Sequence, residues 1–151
     1  MTHQVFDAGT SFDLYQSHKS LGFAALALTV LRLLARLLQP APVRAPGLDG
    51  RLARTVQASF YLLTLAAVAA GWLLVSSSPL PVPTRVFGLF VVPDVAAPDA
   101  TLFGWSVFAH RVAAGAIAAL FALHVAGALK HQWIDRDDTV RRMLPPLRRG
   151  P

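Results

Sequence analysis

Three apolar runs, each about as long as a membrane is thick, limit this chain more than any other feature of its sequence. A helix needs roughly 20 mostly apolar residues to cross the hydrocarbon core, because each residue advances it only about 1.5 Å. The runs are "HKSLGFAALALTVLRLLARLL" from His18, "VQASFYLLTLAAVAAGWLLV" from Val56, and a third from about Leu102 to Leu129. All are rich in alanine and leucine and lack internal proline, which suits helices with closely approaching backbones. Three buried helices of a soluble bundle would be the competing reading, and runs of this length weigh against it. The expected fold is an all-α membrane protein, with three transmembrane helices of an up-and-down bundle. It forms one domain over 1–151, with helices near 18–38, 56–76 and 102–130 and a basic tail over 131–151.

The charges agree. Only 15% of residues are charged and 54% are hydrophobic, whereas a soluble domain carries about 25% charge. The net charge of +6 might suggest nucleic acid, but its placement decides otherwise. Arg32, Arg36, Arg44, Arg51 and Arg54 flank one end of the runs, and Lys130, Arg136, Arg141, Arg142, Arg148 and Arg149 form the tail. No basic stripe interleaves with stacking aromatics, so no nucleic-acid partner is expected. The first connection, "QPAPVRAPGLDGR", and the tail are basic, while the long second connection carries one arginine against two aspartates. The positive-inside rule then predicts a multi-pass protein with its N-terminus outside and its C-terminus in the cytoplasm. The N-terminal segment lacks the basic start, apolar middle and small-residue cleavage site of a signal peptide. The chain has no cysteine, which excludes disulfides, thiolate catalysis and thiolate-held clusters.

Ionisable groups inside a span are costly and mark function by default. His110 and His124 are fourteen residues apart, which at about 100° and 1.5 Å per residue puts them on nearly one face, roughly 21 Å apart. His18 opens the first run, which is parallel to the third, so His18 and His110 share a depth. Two imidazoles on facing helices at one depth suit a bis-histidine metal centre, and haem b fits best, since its apolar macrocycle fills space between helices. Gly22 and Gly115 would leave room beside a flat ring, although glycine also serves plain helix packing. Interhelical hydrogen bonding by the histidines is the other reading. Zinc or copper transport would need further ligands that the spans do not supply. His131 falls past the span as an interfacial side chain, and His3 carries no argument. Arg32 and Arg36, four apart near the basic end, either snorkel to the headgroups or contact an anionic cofactor group or lipid.

The stretches "YQSHKSLGFAALALTVLRLLARL", "FYLLTLAAVAAGWLLVSSSPLPVPTRVFGLFVVPD" and "HRVAAGAIAALFALHVAGALKHQWIDRDDTVRRMLP" resemble the bacterial cytochrome b-561 family. The resemblance covers about Leu14 to Pro145. It implies a di-haem, quinone-linked protein of the bacterial inner membrane, with four transmembrane helices and one haem toward each face. Its histidine pattern maps onto His18, His110 and His124 as axial ligands. The family's first helix and its histidine are expected to be absent here, so that Met1 is either an internal start or the start of a shortened gene. A further family histidine is replaced by Gln57, and an amide binds iron far more weakly than imidazole. One haem is therefore expected at the outer level, while the inner one is lost, held by His124 alone, or completed by another chain.

Function follows as an expectation. Bis-histidine ligation favours outer-sphere electron transfer, and the resemblance implies exchange with ubiquinone in a respiratory or superoxide-linked chain, with an unidentified redox partner. Whether this makes the chain an enzyme is left open. Lys19 and Arg111 are candidate contacts for a propionate, a quinone headgroup or an anion, against a plain interfacial role for Lys19. The alternative is a haem-free membrane subunit or interaction module, and a homo-oligomer is compatible with either.

Overall fold

The computed structural model describes residues 8–39, 48–80 and 82–135. His3 and the tail beyond residue 135 lie outside them. Three long helices dominate: α1 (Ala8–Leu38), α2 (Leu48–Ser76) and α3 (Ala100–Lys130), the last running into a π-helical turn at His131–Asp135. All three are long and apolar enough to cross a membrane. The apolar runs lie inside them, and α1 and α2 begin eight to ten residues before their runs. The polar stretch before His18 contains no proline or glycine pair to stop a helix, so α1 continues past its apolar part.

Contacts between helices fix the topology. Arg32 and Arg36 of α1 bond Tyr61 and Gln57 of α2, so α1 and α2 run antiparallel. His110 and His124 of α3 meet Ala67 and Phe60 of α2, so α2 and α3 do too. The bundle goes up, down and up, with α1 parallel to α3. Helix α2 packs broadly on α3 but meets α1 along a slighter seam.

Little of this surface is buried. Among the described residues, the buried apolar side chains are Ala67, Val86 and Ala113, while Leu28, Leu62, Phe108, Phe121 and Leu123 are exposed. A water-soluble bundle could not leave such residues facing solvent, but lipid is as apolar as leucine. Small residues at the α2–α3 seam let the backbones approach, as packing in a membrane requires.

Between α2 and α3 lies a hairpin that the sequence did not announce. Strands β1 (Thr84–Val86) and β2 (Phe90–Val92) pair antiparallel, with Arg85 opposite Val91. The turn puts Phe87 at φ 49° and Gly88 at φ 73°, and Leu89 N–H closes it on the Val86 carbonyl at 2.9 Å. Glycine tolerates that backbone freely and phenylalanine does not, so the fold holds Phe87 there by external bonds. Ser20 Oγ accepts from Phe87 N–H at 2.9 Å and lies 3.1 Å from the Arg85 carbonyl. Gln16 Nε2 and Lys19 Nζ both donate to the Pro83 carbonyl, at 3.0 and 3.3 Å. The other side is tied to α2: Trp72 Nε1 donates to the Pro93 carbonyl and Ser76 Oγ accepts from Val95 N–H, both at 3.1 Å. Asp99 then caps α3, its carboxylate accepting from Leu102 N–H at 2.7 Å.

Candidate functional site

The hairpin sits at the level of His18. There the His18 and His110 rings approach with centroids 6.0 Å apart and planes at 89°. Imidazole nitrogens bind a metal at about 2 Å and lie about 1 Å from the ring centre, so two rings flanking one ion stand roughly 6 Å apart. The centroid separation of the pair is thus of the order that bis-imidazole ligation uses. Among the described residues no group of three or more His, Cys, Asp or Glu converges. A porphyrin supplies four nitrogens of its own, so two side chains suffice for haem iron, whereas zinc would need more protein ligands.

His110 carries a further preparation. Its Nδ1 lies 2.8 Å from the Ala67 carbonyl. A carbonyl only accepts, so Nδ1 must hold the proton, and the neutral ring then offers a bare lone pair at Nε2. Metal-ligating histidines are fixed by such a bond on their other nitrogen. One turn from Ala67, Gly71 makes room for the ring: a Cβ there would stand 3.1 Å from His110 Nδ1 and 3.2 Å from Cε1. By contrast, a Cβ at Gly22 or Gly115 would meet nothing within 4 Å, so the close approach belongs to Gly71. Ser106, one turn before His110 on α3, is 3% exposed and its hydroxyl has no hydrogen-bond partner.

The two cations named from sequence differ. Lys19 is buried, with its ammonium on the Pro83 carbonyl and 4.4 Å from the Tyr15 ring centre, so it anchors the hairpin. Arg111, next to His110, is exposed.

At the other end of the bundle the arrangement changes. His124 is exposed, as His18 is, and the ring facing it is Phe60, with centroids 6.0 Å apart and planes at 85°. Gln57 does not face it. Its amide oxygen accepts from Arg36 Nη1, and its Nε2 donates to Tyr61 Oη at 3.4 Å. Arg32 Nε donates to the same hydroxyl at 3.0 Å. The spacing of the two arginines is visible in the sequence, whereas Tyr61 as a partner of Arg32 shows only in the packing of α2 on α1. The structure thus brings together His18 and His110, and leaves His124 against a phenyl ring. The backbone of His131 continues α3 as the first residue of the π-helical turn.

Comparison with known proteins gives a consistent result. The family described as prokaryotic cytochrome b561 matches residues 1–146. Cytochrome b561 homolog 2 of Escherichia coli (strain K12) is 33% identical over 130 residues, covering 84% of this chain and 68% of that protein. Cytochrome b562 of Cereibacter sphaeroides is 28% identical over 133 residues, covering 85% of this chain and 66% of that protein. The chain spans about two thirds of the length of either relative.

Proposed function

The chain belongs to the prokaryotic cytochrome b561 family of membrane electron-transfer proteins, and on that premise we propose that it carries haem b between His18 and His110 and exchanges electrons with quinone. The observation that carries this reading is the imidazole pair, at a centroid separation of the order that ligation uses and with the His110 tautomer already set. Bound there, haem b supplies a one-electron iron couple, and two imidazole ligands leave no open iron position, so outer-sphere transfer is favoured over chemistry on a bound substrate.

The protein's own residues do the rest. The Ala67 carbonyl holds the Nδ1 proton, which orients the His110 ring and raises the basicity of Nε2. Gly71 lets the ring lie close against α2, where a Cβ would press on it. Gln16, Lys19 and Ser20 clamp α1 to the hairpin within one turn of His18, which limits how far that imidazole can move. Arg111 is the cation available to an anionic edge of the cofactor or a quinone headgroup. A second haem at His124 would take its other ligand from outside the described residues, for example from a second copy of the chain. With basic residues inside, the His18 end faces the periplasm of a bacterial inner membrane.

The test is direct. Protein purified in detergent should show a sharp reduced-state alpha band, and adding an oxidised ubiquinone analogue under anaerobic conditions should bleach it. A colourless preparation sinks the haem reading. A band that quinone leaves untouched sinks the quinone assignment alone.

A further inference from the structure

The Arg32–Gln57–Tyr61–Arg36 cluster is not used by the electron-transfer reading, and its unspent hydrogen-bonding groups are lopsided. Each guanidinium has five N–H donors and spends one within the cluster. Because arginine only donates, the Gln57 atom it meets must be the oxygen, which leaves Nε2 to face Tyr61. Tyr61 Oη accepts from both Arg32 and Gln57, so both its lone pairs are taken and its own O–H points elsewhere. What remains is a set of donors carrying two positive charges, with a single lone pair on Gln57 to set against them. A ligand rich in acceptors and negative in charge matches such a set, which water would satisfy without answering its charge.

Depth and direction identify the ligand. Arg36 lies eighteen residues beyond His18, roughly 27 Å along the helix, close to the far edge of a hydrocarbon core about 30 Å thick. Lipid phosphates occupy that level, and the long arginine stems reach it from inside the span. Both arginines are exposed on the α1–α2 seam. Phe60, which meets His124, is turned about 100° from Tyr61 and about 60° from Gln57 around α2, so the cluster lies to one side of the ring that meets the histidine. Among the residues whose side chains are described, the acid on α1, Asp13, is at the opposite end of the helix, and α2 from Gly50 to Ser76 carries none. Arg54 is committed to the Gly50 carbonyl of its own helix.

We propose that Arg32, Arg36, Gln57 and Tyr61 form a headgroup site for one anionic phospholipid, its phosphate held by the two guanidiniums and the Tyr61 hydroxyl. A zwitterionic lipid offers the same phosphate but brings a cation to a doubly positive site, so the site selects against it. The proposal needs the membrane span and does not depend on haem.

Native mass spectrometry of the full-length protein tests it, with dioleoylphosphatidylglycerol or dioleoylphosphatidylcholine titrated into the detergent micelle. Wild-type protein should retain one phosphatidylglycerol in preference to phosphatidylcholine. Losing a charge-assisted bond of about 1.5–3 kcal/mol weakens retention about tenfold or more, so Arg32→Gln with Arg36→Gln should abolish the preference. Tyr61→Phe keeps the ring and both charges, removes the outward O–H together with the oxygen that accepts from Arg32 and Gln57, and should weaken retention a few-fold. Equal retention of the two lipids by wild-type protein, or unchanged preference in both variants, overturns the site. Loss of the bound lipid on haem loading overturns the assignment to lipid, since the anion would then be a cofactor carboxylate. Because lipid retention is read by mass, a colourless preparation leaves the result interpretable.

Discussion

The two ends of the bundle present the same ring geometry with different chemistry. At one end His18 faces His110, and at the other Phe60 faces His124, each pair with centroids 6.0 Å apart and planes within a few degrees of perpendicular. Helix packing supplies a ring-against-ring pocket at both levels. What separates them is the partner's nitrogen and the support behind it. His110 has a carbonyl on its Nδ1 and a glycine at its back, whereas His124 has neither. Ring geometry alone therefore does not distinguish the two ends; the second imidazole and the carbonyl bond on His110 Nδ1 do.

The comparison breaks most readily by removing one histidine at a time. His18→Ala or His110→Ala should abolish most of the reduced alpha band, because one imidazole cannot hold haem b at comparable strength. His124→Ala should leave it largely intact. Equal loss from all three variants would show that the two ends are not different in kind. Conversely, Phe60→His gives the second end the nitrogen it lacks. If ring placement there is sound, pyridine haemochrome analysis should rise from about one haem per chain toward about two. No gain would mean that the missing support behind His124, rather than the phenyl ring, limits that end. The smallest effect is expected from Gly71→Ala. Its methyl would have to displace the His110 ring by a few tenths of an ångström, lengthening the bond to Ala67. Haem should still bind, with a lowered occupancy and a shifted reduction potential, as positions behind a metal ligand tune the metal. An unchanged potential would remove Gly71 from the site.

Much of this was readable in the sequence, and the remainder fails for physical reasons. The apolar runs follow from rise per residue, and the common depth of His18 and His110 from the run directions that the charges set, neither of which needs knowledge of neighbours. The partner of a histidine that bonds a backbone carbonyl leaves no trace in residue type, so Ala67 was invisible. Gly22 and Gly115 were chosen for their distance from a histidine along the chain, yet the glycine that matters is on a different helix. Only the register of α2 against α3 reveals it. Arg32 and Arg36 were legible as a pair by their spacing, but Gln57 and Tyr61 are two ordinary residues until α2 is placed beside α1. The hairpin was missed because its turn is Phe87-Gly88-Leu89 rather than an asparagine-glycine pair, and because its strands are three residues each. Its strongest determinants, Gln16, Lys19 and Ser20, lie more than sixty residues away in sequence.

The slight seam between α1 and α2 bears on how the protein is assembled. Helices α2 and α3 make a broad pair, whereas α1 is held by its bonds to the hairpin and by a slighter seam with α2. His18 and His110 stand on opposite sides of that loosest joint. A group ligated by both acts as a rivet, and its acquisition would mark the moment when the last helix docks. A haem-loaded molecule would then certify its own folding, and resistance of the hairpin to protease should rise in step with colour.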